Sequence, residues 1–136
     1  YPVVIEPAGG LTRTLFAILC SNYDEDTVND TTRTLFRFNF EIAPIQIAIL
    51  PLSKKDNLIN ISKEIKTKLQ KSFRTEVDIT QSIGKRYRRQ DEIGTPYCIT
   101  VDFETIDDDS VTIRNRDTMN QERVEINKLQ DYFKNI

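Results

Sequence analysis

The sequence predicts an α/β fold: a three-layer domain over residues 44–136, built on a mixed, mostly parallel sheet. Three observations carry that expectation. From Pro44 onward the apolar periodicity runs strand, helix, strand, helix, strand, strand, helix, and right-handed crossovers place such helices on both faces of a sheet. Ile45-Gln46-Ile47-Ala48-Ile49-Leu50 is nearly all apolar and β-branched, as suits a strand covered on both sides. Tyr97, Ile99, Val101 and Phe103 alternate with Cys98, Thr100 and Asp102, and the turn Asp107-Asp108-Asp109-Ser110 then leads into Val111 and Ile113, giving one antiparallel edge.

Taken in order, residues 1–7 read as a strand ending at Pro7, Ala8-Gly9-Gly10 as a turn, and Thr12 to about Tyr23 as a helix striped by Leu15, Ile18, Leu19 and Tyr23. The acidic run from Asp24 to Thr32 reads as a loop and the best boundary in the chain. Arg33 to Phe40 alternates, with Phe36, Phe38 and Phe40 on one face of a half-buried strand. After the apolar strand, Asp56 is the candidate N-cap of a helix whose buried face is Leu58, Ile61, Ile65 and Leu69; Lys63, Lys66, Lys68 and Lys71 cover its other faces. Glu76 to Ile79 reads as a short strand. Ile83, Tyr87 and Ile93 mark the apolar face of a basic helix, with Lys85, Arg86, Arg88 and Arg89 projecting from the rest of the cylinder. Gly94 can take the left-handed conformation that ends a helix, and Pro96 cannot continue one. Thr118-Met119-Asn120-Gln121 has the capping-box pattern, predicting a closing helix striped by Met119, Ile126, Leu129 and Phe133.

Composition narrows the chemistry. The 136 residues suffice for a hydrophobic core, and the formal net charge is -2. Charge is uneven: residues 45–103 carry eleven cations against seven anions, while the flanking segments are net acidic. The chain has no histidine, which removes histidine triads, histidine metal sites and histidine general bases. Cys20 and Cys98 fit no zinc spacing and read as buried, reduced thiols, pointing to a cytoplasmic protein. No apolar run approaches the length of a membrane span, so no membrane partner is expected. The chain opens at Tyr1 straight into a strand pattern, as a piece of a longer protein would. Asp107-Asp108-Asp109 lacks the spacing of a calcium loop, so no metal site is expected. There is no P-loop, dinucleotide fingerprint or nucleophile elbow. Nothing from residue 44 onward looks catalytic, and that part reads as a binding module.

Two features can bind anions. The Gly9-Gly10 turn, with Glu6 and Arg13 on either side, is either an ordinary strand-turn-helix corner or a helix N-terminus open to a phosphate or a zwitterion. The basic helix is either a solvated face or a nucleic-acid contact. Tyr87 and Tyr97 favour the second slightly, since tyrosines stack on unpaired bases, although the position of Tyr87 on the apolar face suits core packing.

Three blocks carry a family resemblance. Val4-Ile5-Glu6-Pro7-Ala8-Gly9-Gly10-Leu11-Thr12-Arg13 resembles motif 3 of class II aminoacyl-tRNA synthetases. Ala43 to Leu52 resembles the opening strand of their anticodon-binding domain, and Ile83 to Asp102 with Val111 to Met119 its second half. Together, in this order, they are similar to the C-terminal part of homodimeric class II glycyl-tRNA synthetases. The resemblance implies an end of the class II catalytic domain at 1–23 (a strand-helix remnant), a linker and strand at 24–43, and an anticodon-binding domain at 44–136.

It also implies an activity: condensation of glycine with ATP, accompanied by Mg2+, then transfer of glycine to its tRNA by a cytoplasmic homodimer. Glu6, Pro7 and Ala8 would line the glycine pocket, Glu6 holding the ammonium, and Arg13 would bind ATP. Ala8 stands where the family commonly has Ser, removing a hydroxyl contact, and Thr12 where some members have Gly. Motifs 1 and 2 are absent, so this segment alone has no catalytic residues, and its anticodon-binding part binds no cofactor. Lys85, Arg86, Arg88 and Arg89 are the candidates for tRNA contact, by charge. Part of that set can instead pair with Asp91 or Glu92. Threonine, proline and histidine synthetases share the anticodon-domain architecture, and a non-catalytic accessory protein would too.

Overall fold

In the computed structural model, which describes residues 1–28 and 30–136, the organising element is strand β3 (Ile47–Pro51), buried at every position. Its side chains alternate between two hydrophobic cores. Ile47 and Ile49 join a cluster with Leu58, Ile65 and Leu69 of helix α2 (Asp56–Leu69) and with Leu129 and Phe133 of helix α5 (Leu129–Lys134). Ala48 and Leu50 face the other way and pack with Cys98 against Ile83 and Tyr87 of helix α3 (Ile83–Ile93). A strand apolar on both faces thus makes three layers: α2 and α5, the sheet, and α3.

The sheet has five strands in the order β4-β3-β5-β6-β7, with β4 at Thr75–Val77, β5 at Tyr97–Val101, β6 at Ser110–Asn115 and β7 at Gln121–Glu125. β3 is parallel to β4 and β5, whereas β6 runs antiparallel to β5 and β7 antiparallel to β6. Four of the five strands therefore point the same way, and the sheet is mixed, as the sequence predicts; the antiparallel strand β6, however, is not the edge, because β7 pairs beyond it.

Several elements differ from expectation, each for a physical reason. Residues 1–10 are exposed and form no strand, because their backbone has no neighbouring strand to bond to among the described residues. Helix α1 (Leu11–Asn22) forms as expected, but none of its residues is buried. The acidic run is no loop: β1 (Tyr23–Val28) and β2 (Thr31–Phe36) make an antiparallel hairpin. Its carboxylates Asp24 and Asp26 are partly covered because Arg33 and Arg37 meet them, so a polar alternation is here a strand with an ion-paired face. β2 stops at Phe36. Phe36 stacks on Phe38, while Phe40 turns to the main core beside Phe73, Tyr97 and Phe133.

β5 ends at Val101, and a short helix α4 (Thr105–Asp108) precedes the β6 turn, closed by Asp109 in the left-handed region. The capping-box reading of Thr118 to Gln121 fails. Met119 has φ 60° and turns the chain so that Gln121 opens β7, and the helix starts only after a 3-10 turn at Ile126–Lys128. Asp56 is the first helical residue of α2, after an N-cap at Lys55. Cys98 is buried, and its thiol is pushed up to about 12 by burial; Cys20, on α1, is exposed rather than buried.

Candidate nucleic-acid interface

Helix α3 presents the basic residues, and its end is sharply defined. Gly94 takes φ 88° and donates to Gln90 O and Asp91 O, and Thr95 N–H also donates to Gln90 O. These bonds satisfy the last carbonyls of the helix. A Cβ on Gly94 would lie 2.9 Å from Phe36 Cβ, so the residue also allows the hairpin segment to approach. Arg116 locks this corner from the other side, donating to Phe38 O at 3.1 Å and Gly94 O at 2.9 Å.

The four sequence-predicted cations divide. Arg86 does not project: it is 3% exposed, and its Nη1 donates to Pro51 O at 2.6 Å and Asp78 O at 3.2 Å. Burial drives its guanidinium below the usual arginine value. Its job is to tie α3 to the carboxyl ends of β3 and β4, and it cannot reach an RNA phosphate. Arg89 pairs with Asp78 at 2.5 Å and also donates to Thr80 and Gln81, yet a third of its side chain stays exposed. Burial pushes the Asp78 carboxyl up, but hydrogen bonds from Thr80 and the charge of Arg89 outweigh this and hold it below the ordinary range. Lys85 is exposed and Arg88 half-buried, and among the described residues neither has a partner.

Arg88 borders a cleft of about 280 Å³ on the α3 side of the sheet. The hairpin supplies Val28 and Arg33 to its lining, α3 supplies Gly84 and Tyr87, and the β6–β7 unit supplies Arg114, Met119 and Gln121. Its floor is a buried charge cluster. Asp91 Oδ1 and Oδ2 accept from Arg114 Nη1 and Nη2 at 3.0 and 3.1 Å, and Oδ2 also accepts from Arg33 Nη1 at 3.2 Å. Arg33 completes its donors on Asp26 and Arg116 O. The Arg114 guanidinium lies 4.8 Å from the centroid of the Tyr87 ring, and the Tyr87 hydroxyl meets Thr100. The sequence offers Asp91 as a partner for the basic helix itself; its arginines come instead from β2 and β6. The sequence marks Arg114 by its polar position inside the Val111/Ile113 alternation and by its place in the Val111 to Met119 block; its pairing with Cys98 puts it on the α3 side of the sheet.

Glu6, Pro7, Ala8 and Arg13 are all exposed. No group of three cysteine or acidic side chains that could hold a metal is present among the described residues. No helix among them is long and apolar enough to cross a membrane.

Comparison with known proteins agrees with this architecture. The chain is 53% identical over 135 residues to a glycine–tRNA ligase of Ruminiclostridium cellulolyticum, covering 98% of this chain and 29% of that protein. It is 48% identical to the glycine–tRNA ligase of Treponema denticola, covering 90% of this chain and 28% of that one. The chain thus spans less than a third of the curated relatives it matches. Among solved structures, it resembles a prolyl-tRNA synthetase from Cryptosporidium parvum (TM-score 0.68, 22% identity, 75% of this chain and 22% of that one). It also resembles the RNA-binding domain of threonyl-tRNA synthetase from Cryptosporidium parvum Iowa II (TM-score 0.66, 24% identity, 73% and 25%). At such identities these structures speak to the fold alone. The family model described as "Anticodon binding domain" matches residues 46–136, well over half of the chain, which therefore belongs to the anticodon-binding domain family.

Proposed function

We propose that this chain is the C-terminal part of a glycine–tRNA ligase and that residues 44–136 grip the anticodon stem-loop of glycine tRNA. The observation that carries this reading is the 53% identity, along 98% of the chain, to a protein of that name. Lys85 and Arg88 support it as cations without partners among the described residues, Arg88 on the border of an open cleft, and Arg89 retains an exposed edge. Phosphate contacts from such residues position an RNA, while unpaired bases supply the sequence information.

In the intact enzyme, residues 1–23 belong to the catalytic body and residues 24–43 connect it to the RNA-binding unit. Glu6, Pro7 and Ala8 face glycine, with the Glu6 carboxylate on the substrate ammonium, and Arg13 faces ATP, with which Mg2+ enters. The remainder of that pocket lies in the part of the relatives' length this chain does not span, so no chemical step is assigned to these residues. The intact enzyme is a cytoplasmic homodimer.

The test is charging by the intact enzyme. Glycylation of glycine tRNA, without charging of threonine or proline tRNA, is expected; charging of either other tRNA, or none at all, overturns the reading. With three cations on single-stranded phosphates, the log-log salt slope of tRNA binding is about -2. A slope near zero removes the role of the α3 edge.

A further inference from the structure

We infer that Gln121 is a specificity-determining residue of the RNA site, reading the edge of one unpaired anticodon base held in the cleft beside Arg88. The inference rests on the tRNA reading above and adds to it a reader that charge does not single out and that the sequence pattern assigns to a helix cap instead. Gln121 opens β7 directly opposite Arg114 of β6. Directly paired residues share a face of the sheet, so its side chain stands on the α3 side, next to the Arg114 guanidinium and in the lining of the cleft.

The other polar groups at this site are committed. Both Asp91 oxygens are taken by Arg114 and Arg33, and Met119 Sδ accepts from Arg33 Nη1 at 3.3 Å and Arg114 Nη2 at 3.0 Å. The Tyr87 hydroxyl is on Thr100. Arg114 is 4% exposed and held in place by these contacts. Two side chains remain available: the Arg88 guanidinium and the Gln121 amide, which is exposed and has no partner among the described residues.

The chemistry of those two groups identifies the ligand. A carboxamide offers a donor and an acceptor side by side, which matches the paired donor and acceptor on the edge of a nucleobase. In one orientation it complements an amino base, adenine or cytosine; in the other a keto base, guanine or uracil. The guanidinium of Arg88 can lie on the base face or hold the adjoining phosphate. Val28 of the hairpin adds an apolar wall. Such a cleft favours a splayed, single-stranded base over a paired one, whose edge is already occupied.

The experiment uses the intact ligase carrying Gln121→Ala, Gln121→Glu, or Lys85→Ala with Arg88→Ala. Each is tested with glycine tRNA transcripts bearing each of the four bases at each anticodon position, and thermal melting checks the fold. With Gln121→Ala, the kcat/KM ratio of cognate to substituted transcript falls at least about tenfold at one anticodon position and is kept at the other two. Gln121→Glu, which lacks the donor, shifts the base preferred at that same position. The double cation variant weakens all transcripts together. Discrimination unchanged at every position in Gln121→Ala, or lost evenly at all three, overturns the inference. If the cation variant weakens every transcript while Gln121→Ala changes nothing, the tRNA reading stands and the role of Gln121 falls. If neither affects any transcript, both fall.

Discussion

The Asp91 carboxylate faces the Arg114 guanidinium in a two-point pairing at 3.0 and 3.1 Å, with Asp91 2% and Arg114 4% exposed. This contact joins α3 to β6, and Arg33 at 3.2 Å extends it to the hairpin. An ion pair in that setting is costly to dismantle by halves, because the remaining charge stays out of water.

Asp91→Ala therefore leaves two buried guanidiniums without their carboxylate. It lowers unfolding free energy by about 3–5 kcal/mol, read from urea denaturation. Arg114→Met with Asp91→Leu, which removes both charges, costs much less. Equal losses in the single and double variants would show that packing, not charge, governs this corner.

Gly94→Ala forces a side chain onto a backbone at φ 88° and onto Phe36 and Phe38. Left-handed strain and overpacking add, giving a loss of at least about 2 kcal/mol in a melting experiment. A near-neutral result would mean that the hairpin segment moves away freely.

Arg86 and Arg88 are two residues apart and do opposite jobs. Arg86→Met removes a buried bond to Pro51 O and lowers stability by about 1–3 kcal/mol, with no change in the salt slope of RNA binding. Arg88→Ala leaves stability within about 0.5 kcal/mol and reduces the slope by about 0.7. Reversal of the two phenotypes would contradict the burial pattern of α3.

Acid should unfold the protein through its aspartates. Hydrogen bonds from Arg37 to Asp24 and from Arg33 to Asp26 hold both carboxyls below the ordinary range. Burial raises Asp117, but hydrogen bonds and charge from Arg116 and Arg37 more than reverse it. Each contributes stability that is complete above the unfolded carboxylate value of about 3.9 and is lost as pH falls through the depressed native value. The urea midpoint is thus expected to hold from neutrality to about pH 5 and drop below about pH 4. Arg37→Gln lowers it at neutral pH, and the gap from the parent closes as the medium becomes acid. A gap that widens below pH 4 would contradict this assignment.

Local features of the chain were legible where the side chains themselves settle the outcome. The stripe Leu58-Ile65-Leu69 and the alternation beyond Tyr97 specify their elements because each buries one face at one periodicity only; the run around Ile49 is fixed as a strand by its shortness, its β-branched residues and the prolines that flank it, and the stop at Gly94 by the left-handed conformation glycine takes freely. The basic helix was located, and so was its length. What a one-dimensional pattern cannot carry is the partner of a polar group. Whether Arg86 meets solvent or the carbonyls of Pro51 and Asp78, whether Asp24 and Asp26 form a loop or the ion-paired face of a strand, and whether Gln121 caps a helix or opens β7 each depend on what lies opposite in space. Tertiary structure made those decisions, since the energy of a charge or an amide is set by the group it faces, and those groups lie far away in sequence: Arg33 meets Asp91, and Arg116 meets Phe38.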